Sequence, residues 1–151
     1  MPDVVDQQTR SRMMSGIRGK NTQPELAIRR GLHAMGFRFR LHAADVAGKP
    51  DLVLARFHAA IFVNGCFWHQ HDCHLFKMPS TRPEFWLKKI SANVARDQAV
   101  RAALAESGWR QMVVWECALK GRTRLQLDAV LQRIGEWLKG SEQTGEIRGT
   151  A

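Results

Sequence analysis

The stretch NGCFWHQHDCH, residues 64–74, constrains this chain more than any other, because it crowds two cysteines, three histidines, Phe67 and Trp68 into eleven positions. It reads as a loop between a strand and a helix. Cys66, His71 and Cys73 lie within eight residues of one another, and the third cysteine, Cys117, falls at the end of a later strand. Zinc favours four tetrahedral nitrogen or sulphur ligands, and structural sites commonly combine a close cluster with a remote ligand. Cys66, His71, Cys73 and Cys117 together would close such a site and tie the loop to the far strand. Closed coordination leaves no position for water, so that zinc would be structural. The competing account is inert buried thiols beside surface histidines.

The surrounding sequence supplies the elements that such a loop would join. TQPELAIRRGLHAMG sets Thr22 and Glu25 at capping-box spacing around Pro24, with Ile28, Leu32 and Met35 on one face and Gly36 as a stop. FRFRLH alternates like a half-buried strand. DLVLARF and AAIFVNG follow as a hairpin turning through residues 56–58. Thr81, Pro83 and Glu84 repeat the capping pattern and predict a long helix to about Ser107, ended by Gly108. RQMVVWE reads as a buried strand, and Leu125, Val130, Ile134 and Trp137 mark a last amphipathic helix. The order is helix, three strands, helix, strand, helix, which is an α/β layer fold: a single domain with a mixed sheet flanked by helices. Its expected limits are residues 22–139, after a basic arm at 1–21 and before a disordered polar tail at 140–151.

Size and charge narrow the class. A chain of 151 residues, 44% hydrophobic, can bury roughly 70% of its unfolded surface, so it needs no metal merely to make a core. Lys and Arg number 23 against 14 Asp and Glu, a net charge of +9. A small domain this basic usually meets phosphate, on nucleic acid or on an anionic membrane. No run approaches the ~20 apolar residues of a spanning helix, and the N-terminus is polar rather than a signal peptide. The expected setting is therefore the cytoplasm, where three thiols stay reduced. Arg10, Arg12, Arg18 and Lys20 punctuate the arm as phosphate contacts, and Lys88, Lys89 and Arg96 do so on the long helix.

Pro50-Asp51 stands at a strand entrance, where a carboxylate can hold Mg²⁺ together with several waters. A basic α/β domain with such an aspartate outlines the restriction-endonuclease-like PD-(D/E)xK core. That pattern normally places a second carboxylate and a lysine on the next strand, where this chain has Val63 and Gly65. His69 is the candidate substitute. It alternates with His71, so it can face away from the zinc, and an imidazole can accept a proton from attacking water near neutral pH. A further zinc ligand or a solvated histidine are the alternatives for it. Phe67 and Trp68 form a candidate wedge that enters a duplex and unstacks it, the alternative being core packing, which is favoured more for Phe85 and Trp86 in the first turn of the long helix.

These stretches together, TRSRMMSGIRGKNTQPE, GKPDLVLA, IFVNGCFWHQHDC, RPEFWLKKI and VVWECAL, resemble the very short patch repair endonucleases, the Vsr-type nickases of bacteria. The likeness spans residues 9 to about 120. It implies a strand-specific endonuclease that recognises a T·G mismatch left by deamination of 5-methylcytosine and cuts 5′ of the thymine. It further implies Asp51 as the Mg²⁺ ligand, His69 as general base, Glu25 as organiser of metal-bound water, and Cys66, His71, Cys73 and Cys117 as zinc ligands. Phe67, Trp68 and Trp86 match the wedge, and the arm matches a segment that embraces DNA. The partner implied is mismatched duplex DNA, with contact to mismatch-repair proteins left open, and a monomer acting at the bacterial nucleoid is expected.

Two positions depart from the pattern. Val63 stands where threonine is usual, yet its backbone carbonyl serves a metal equally well. Asn64 stands where a histidine can be found; it can hydrogen-bond a phosphate oxygen but cannot shuttle a proton. Glu25 is sufficiently explained as a helix cap. The rival functions are a zinc-stapled DNA-binding module without catalysis and a restriction-type nuclease on matched DNA.

Overall fold

Thr22 begins the described part of the chain, residues 22–150 of the computed structural model. The basic arm, with Arg10, Arg12, Arg18 and Lys20, lies outside the described residues. The Thr22 hydroxyl accepts the Glu25 N–H at 3.4 Å, and helix α1 runs Gln23–Ala34 with Ile28 and Leu32 turned into the core. Two short strands follow, β1 (Arg40–Leu41) and β2 (Leu52–Leu54). A 3-10 turn at Ala55–Phe57, closed by His58 at φ 52°, leads into β3 (Ala59–Asn64). Beyond the Cys/His loop come helix α2 (Pro83–Glu106), β4 (Arg110–Trp115), helix α3 (Leu127–Lys139) and β5 (Thr144–Ile147).

The five strands form one mixed sheet in sequence order. β1, β2 and β3 pair antiparallel, whereas β3–β4 and β4–β5 are parallel. Alternation along each strand then sorts side chains to two faces. Leu52, Leu54, Ile61, Met112 and Val114 pack against Ile28 and Leu32 of α1 and Val130, Ile134 and Trp137 of α3. Val53 and Phe62 point the other way, to Val100 and Leu104 of α2. Each such aliphatic side chain contributes about 1.5–3 kcal/mol by leaving water. The mixed α/β domain expected from sequence is the one observed.

Three local expectations change. The FRFRLH segment pairs only through Arg40 and Leu41, because the chain leaves β2 at His42, which takes a left-handed φ of 49°. Thr81 does not cap α2. Arg82 occupies the cap position at φ 54° with no side-chain cap bond, and its guanidinium lies 4.5 Å from the Phe85 ring. TQPE and TRPE therefore share a pattern but not a geometry, since in the second Pro83 is the first helical residue. Finally, the segment after Gly140 is not a disordered tail. Residues Thr144–Ile147 add a parallel strand beside β4, and Ile147, 1% exposed, joins the core that α3 covers. A single buried isoleucine among polar residues is too faint a period-two signal to announce a strand.

Candidate active site and metal centres

The Cys/His loop leaves β3 and folds back on itself. The His71 N–H donates to the Cys66 carbonyl at 2.9 Å, and the Cys73 N–H to the His71 carbonyl at 2.9 Å. The Cys66 N–H donates to Glu116 Oε1 at 3.2 Å, so the turn after β4 anchors the loop. That same turn delivers Cys117. One ligand atom each from Cys66, His71, Cys73 and Cys117 falls within 4.8 Å of all the others, a group that could hold a metal ion. His71 Nδ1 stands 3.5 Å from Cys66 Sγ and 3.6 Å from Cys117 Sγ, with its ring stacked on Trp115 at 4.0 Å. Burial disfavours the imidazolium and holds the His71 pKa down, keeping the ring in the neutral form that ligates. Burial also pushes the Cys66 and Cys117 thiols up. A cation at their centre reverses that preference by stabilising the thiolates.

The third histidine of the loop and the first go elsewhere. His74 Nδ1 lies 3.5 Å from the Thr123 hydroxyl. His69 Nδ1 lies 2.5 Å from Asp97 Oδ2 on helix α2. The alternation read from sequence is thus realised: His71 faces the sulphurs, while His69 lines a cleft of about 530 Å³ with Asp51, Asn64 and Asp97. One turn before Asp97, Asn93 donates to the Trp68 carbonyl at 3.1 Å, so α2 grips the loop at two points.

Asp51 enters that cleft through a turn built on two successive left-handed residues, Gly48 at φ 77° and Lys49 at φ 48°. Gly48 is also pressed against Val100, where a Cβ would come within 2.5 Å of the valine side chain. The pairing of β2 with β3 begins at Leu52↔Ile61, immediately after Asp51. There the Val63 N–H donates to Asp51 Oδ2 at 2.7 Å. Val63 thus meets Asp51 through its amide hydrogen, and its side chain packs on the core.

Glu25 does more than sit in a capping pattern. Its carboxylate, in a residue only 1% exposed, lies 2.9 Å from His42 Nε2 and 3.2 Å from Arg29. Glu25, His42 and Asp51 form a second group whose ligand atoms lie within 4.8 Å of one another. Burial pushes the Asp51 carboxyl up to about 7. The Val63 N–H pulls against that shift, and the charge of Glu25 adds to it.

The aromatics form a closed cluster. Phe67 stands 5.0 Å from Trp68, 5.6 Å from Trp86 and 6.0 Å from Phe76. Trp68 is 7% exposed, Phe67 and Trp86 are half-buried, and Phe85 is exposed at 44%. Lys88 and Arg96 are exposed on α2, Lys89 is half-buried, and Arg96 reaches the cleft. Asn64 is nearly buried at its wall.

Sequence reasoning missed Asp97, His42, Asn93 and Glu116. Asp97 is 28 positions from His69 and Glu116 is 50 from Cys66. No spacing rule joins residues that far apart, and His42 carries no local signal beyond being a histidine.

Among the described residues, no helix is long and apolar enough to cross a membrane. A family model described as "DNA mismatch endonuclease Vsr" matches residues 2–75. The chain is 44% identical over 147 residues, 97% of its own length and 94% of that protein, to the DNA mismatch endonuclease Vsr of Escherichia coli (strain K12). It is 46% identical over 134 residues to the type II nicking enzyme V.XorIIP of Xanthomonas oryzae pv. oryzae, covering 85% of this chain and 98% of that one. It is 37% identical over 136 residues to the type II nicking enzyme V.NmeAIP of Neisseria meningitidis serogroup A, covering 89% and 97%. With likeness along nearly its whole length to a DNA mismatch endonuclease, and a family-model match over residues 2–75, this chain belongs to the Vsr DNA mismatch endonuclease family.

Proposed function

We propose that this chain is a Mg²⁺-dependent endonuclease that nicks duplex DNA 5′ of the thymine in a T·G mismatch. The observation that carries the reading is the convergence of Asp51 and the His69–Asp97 pair on one cleft. Such a cleft offers a cation ligand and a proton acceptor from opposite walls. Relatives named as mismatch endonucleases and nicking enzymes support the substrate class. The sheet, with Asp51 at the entrance of β2, is read as a restriction-endonuclease-like core in which His69 takes the place of the acid and lysine missing from β3.

The hard carboxylates of Asp51 and Glu25, side by side, suit a divalent cation. Asp51 would hold Mg²⁺ with the Val63 carbonyl, and Glu25 would order its waters. When bound, that ion supplies charge neutralisation at the scissile phosphate and at the departing oxygen. Asp97 accepts the proton on His69 Nδ1, which leaves Nε2 free to take a proton from the attacking water. Asn64, Lys88, Lys89 and Arg96, with Arg10, Arg12, Arg18 and Lys20 of the arm, hold phosphates, and binding weakens steeply with salt. Phe67, Trp68 and Trp86 act as the wedge, favoured at a weakly stacked T·G pair.

The cysteine site is read as structural zinc. Bond lengths of about 2.3 Å to sulphur and 2.0–2.1 Å to nitrogen put tetrahedral ligands roughly 3.6 Å apart. His71 Nδ1 lies at 3.5 and 3.6 Å from its two sulphur neighbours. One Asp51–His69 cleft among the described residues fits a single-strand cut by a monomer.

The test is nicking of matched and T·G duplexes in Mg²⁺ by the wild type, Asp51→Ala and His69→Ala. A single cut 5′ of the mismatched thymine, lost in both variants, is expected. Equal cutting of matched DNA points instead to a restriction-type nuclease, and binding without cutting to a non-catalytic DNA-binding module.

A further inference from the structure

His42 stands between the two carboxylates of the Asp51 centre, and no role has yet been given to it. Its Nε2 lies 2.9 Å from Glu25 Oε2 and 3.9 Å from Asp51 Oδ1. The chain makes a special conformation to put it there. His42 is left-handed at φ 49°, and its N–H donates to the Asp51 carbonyl at 3.2 Å, locking the two backbones together. A non-glycine residue in that region persists only where its surroundings hold it.

We propose that His42 is a direct ligand of the divalent cation, completing a Glu25–His42–Asp51 face, and that its nitrogen biases this centre toward transition cations such as Mn²⁺ over Mg²⁺. The inference rests on the reading of Asp51 as a cation ligand and extends it, placing Glu25 on the ion directly rather than through an ordered water.

The separations fit a ligand set as well as the hydrogen bond now present between His42 and Glu25. With bonds of about 2.0–2.1 Å, neighbouring ligands of an octahedral ion stand roughly 2.9 Å apart. That is the His42–Glu25 separation. The 3.9 Å to Asp51 is wider than one such edge and closes with a small swing of the ring. Asp51 Oδ2 is engaged by the Val63 N–H, so Oδ1 is the oxygen nearest the imidazole. Two carboxylates facing one ring nitrogen leave an excess of lone pairs that either a shared proton or a cation must satisfy. An all-oxygen site suits Mg²⁺, whereas imidazole strengthens binding of the first-row transition ions.

Mn²⁺ is the probe, because soft thiolates hold it poorly and the cysteine site does not compete for it. His42→Gln is the informative variant, since its amide can still donate to Glu25 while lacking the ring nitrogen. Pulsed EPR of the Mn²⁺-loaded wild type should show nitrogen modulation from a bound imidazole. In His42→Gln that signal should disappear, Mn²⁺ affinity should fall about tenfold or more, and Mg²⁺ affinity should change less. Asp51→Asn and a melting curve for each variant complete the set, with His42→Asn as a second substitution should the first fail to fold. Mn²⁺ that binds through Asp51 with unchanged nitrogen modulation in the His42 variants overturns the ligand role and leaves the cation reading intact. Mn²⁺ binding indifferent to Asp51 overturns both.

Discussion

His69 Nδ1 and Asp97 Oδ2 meet at 2.5 Å across the seam between the Cys/His loop and helix α2. The loop supplies the imidazole and the helix its carboxylate partner, so the proposed proton acceptor draws on both elements. Asp97→Asn should therefore lower the single-turnover nicking rate about 10²-fold, within the range general-base catalysis contributes. DNA affinity should stay near wild type. An unchanged nicking rate would remove Asp97 from the mechanism.

Asp51 gives the protein an inverted pH response. Burial raises its carboxyl from 3.8 to about 7. A folded-state value above the unfolded one means that the stabilising contribution is full below about pH 4 and is lost as pH rises through 7. Without added divalent ion, melting temperature should fall between pH 5 and pH 8 through this group, and Asp51→Asn should flatten the slope. Mg²⁺, which displaces the proton, should raise the melting temperature more at pH 8 than at pH 6. Equal Mg²⁺ effects at both values would contradict the assignment.

The last residues of the chain seal the cysteine site. The Gly149 N–H donates to Cys117 Sγ at 3.3 Å, and Arg148 pairs with Asp72 at 2.9 Å. A Cβ at Gly149 would collide with the Cys117 carbonyl and the Thr123 hydroxyl. Protein purified without added zinc should carry about one zinc per chain. Cys117→Ser should lose it and about 4 kcal/mol of stability. Gly149→Ala should keep the ligands yet weaken zinc retention roughly 10–100-fold against a chelator, as loss of an outer partner does.

Phe67 and Trp68 are adjacent in sequence but differ in exposure. Trp68 is 7% exposed within the aromatic cluster, whereas Phe67, in contact with Trp68, Phe76 and Trp86, is half-buried. Phe67→Ala should lower the melting temperature less than Trp68→Ala does, while weakening T·G binding by about 1–3 kcal/mol, the worth of one stacked ring. Trp68→Ala should weaken binding and also cost about 3–5 kcal/mol of folding stability. Equal melting losses in both variants would argue against the wedge role for Phe67.

The candidate cysteine site was legible because its ligands are chemically rare and three of them crowd one loop. Cys117 could be added from sequence only because the chain has no other cysteine to offer. Asp51 was legible from Pro50-Asp51 at a strand entrance. Its neighbourhood was not: His42 gave no local signal, and Glu25 looked like a cap because the same spacing serves both purposes. Nor was the His69 partner Asp97, which lies within a 24-residue helix. β5 went unseen because one buried side chain in four positions leaves little periodicity to detect.

The sequence by itself determined which side chains can bind metal, which segments alternate or repeat as strands and helices, and which family the chain resembles. These are properties of composition and short spacing, and they survive without coordinates. Tertiary structure alone decided that Asp97 is the carboxylate that meets His69. It also decided that Glu25 turns inward to His42, and that the chain's end closes over Cys117. The reason is geometric: a hydrogen bond or a ligand set is fixed by distances of a few ångströms, and only packing of the sheet against its helices brings residues dozens of positions apart within that reach.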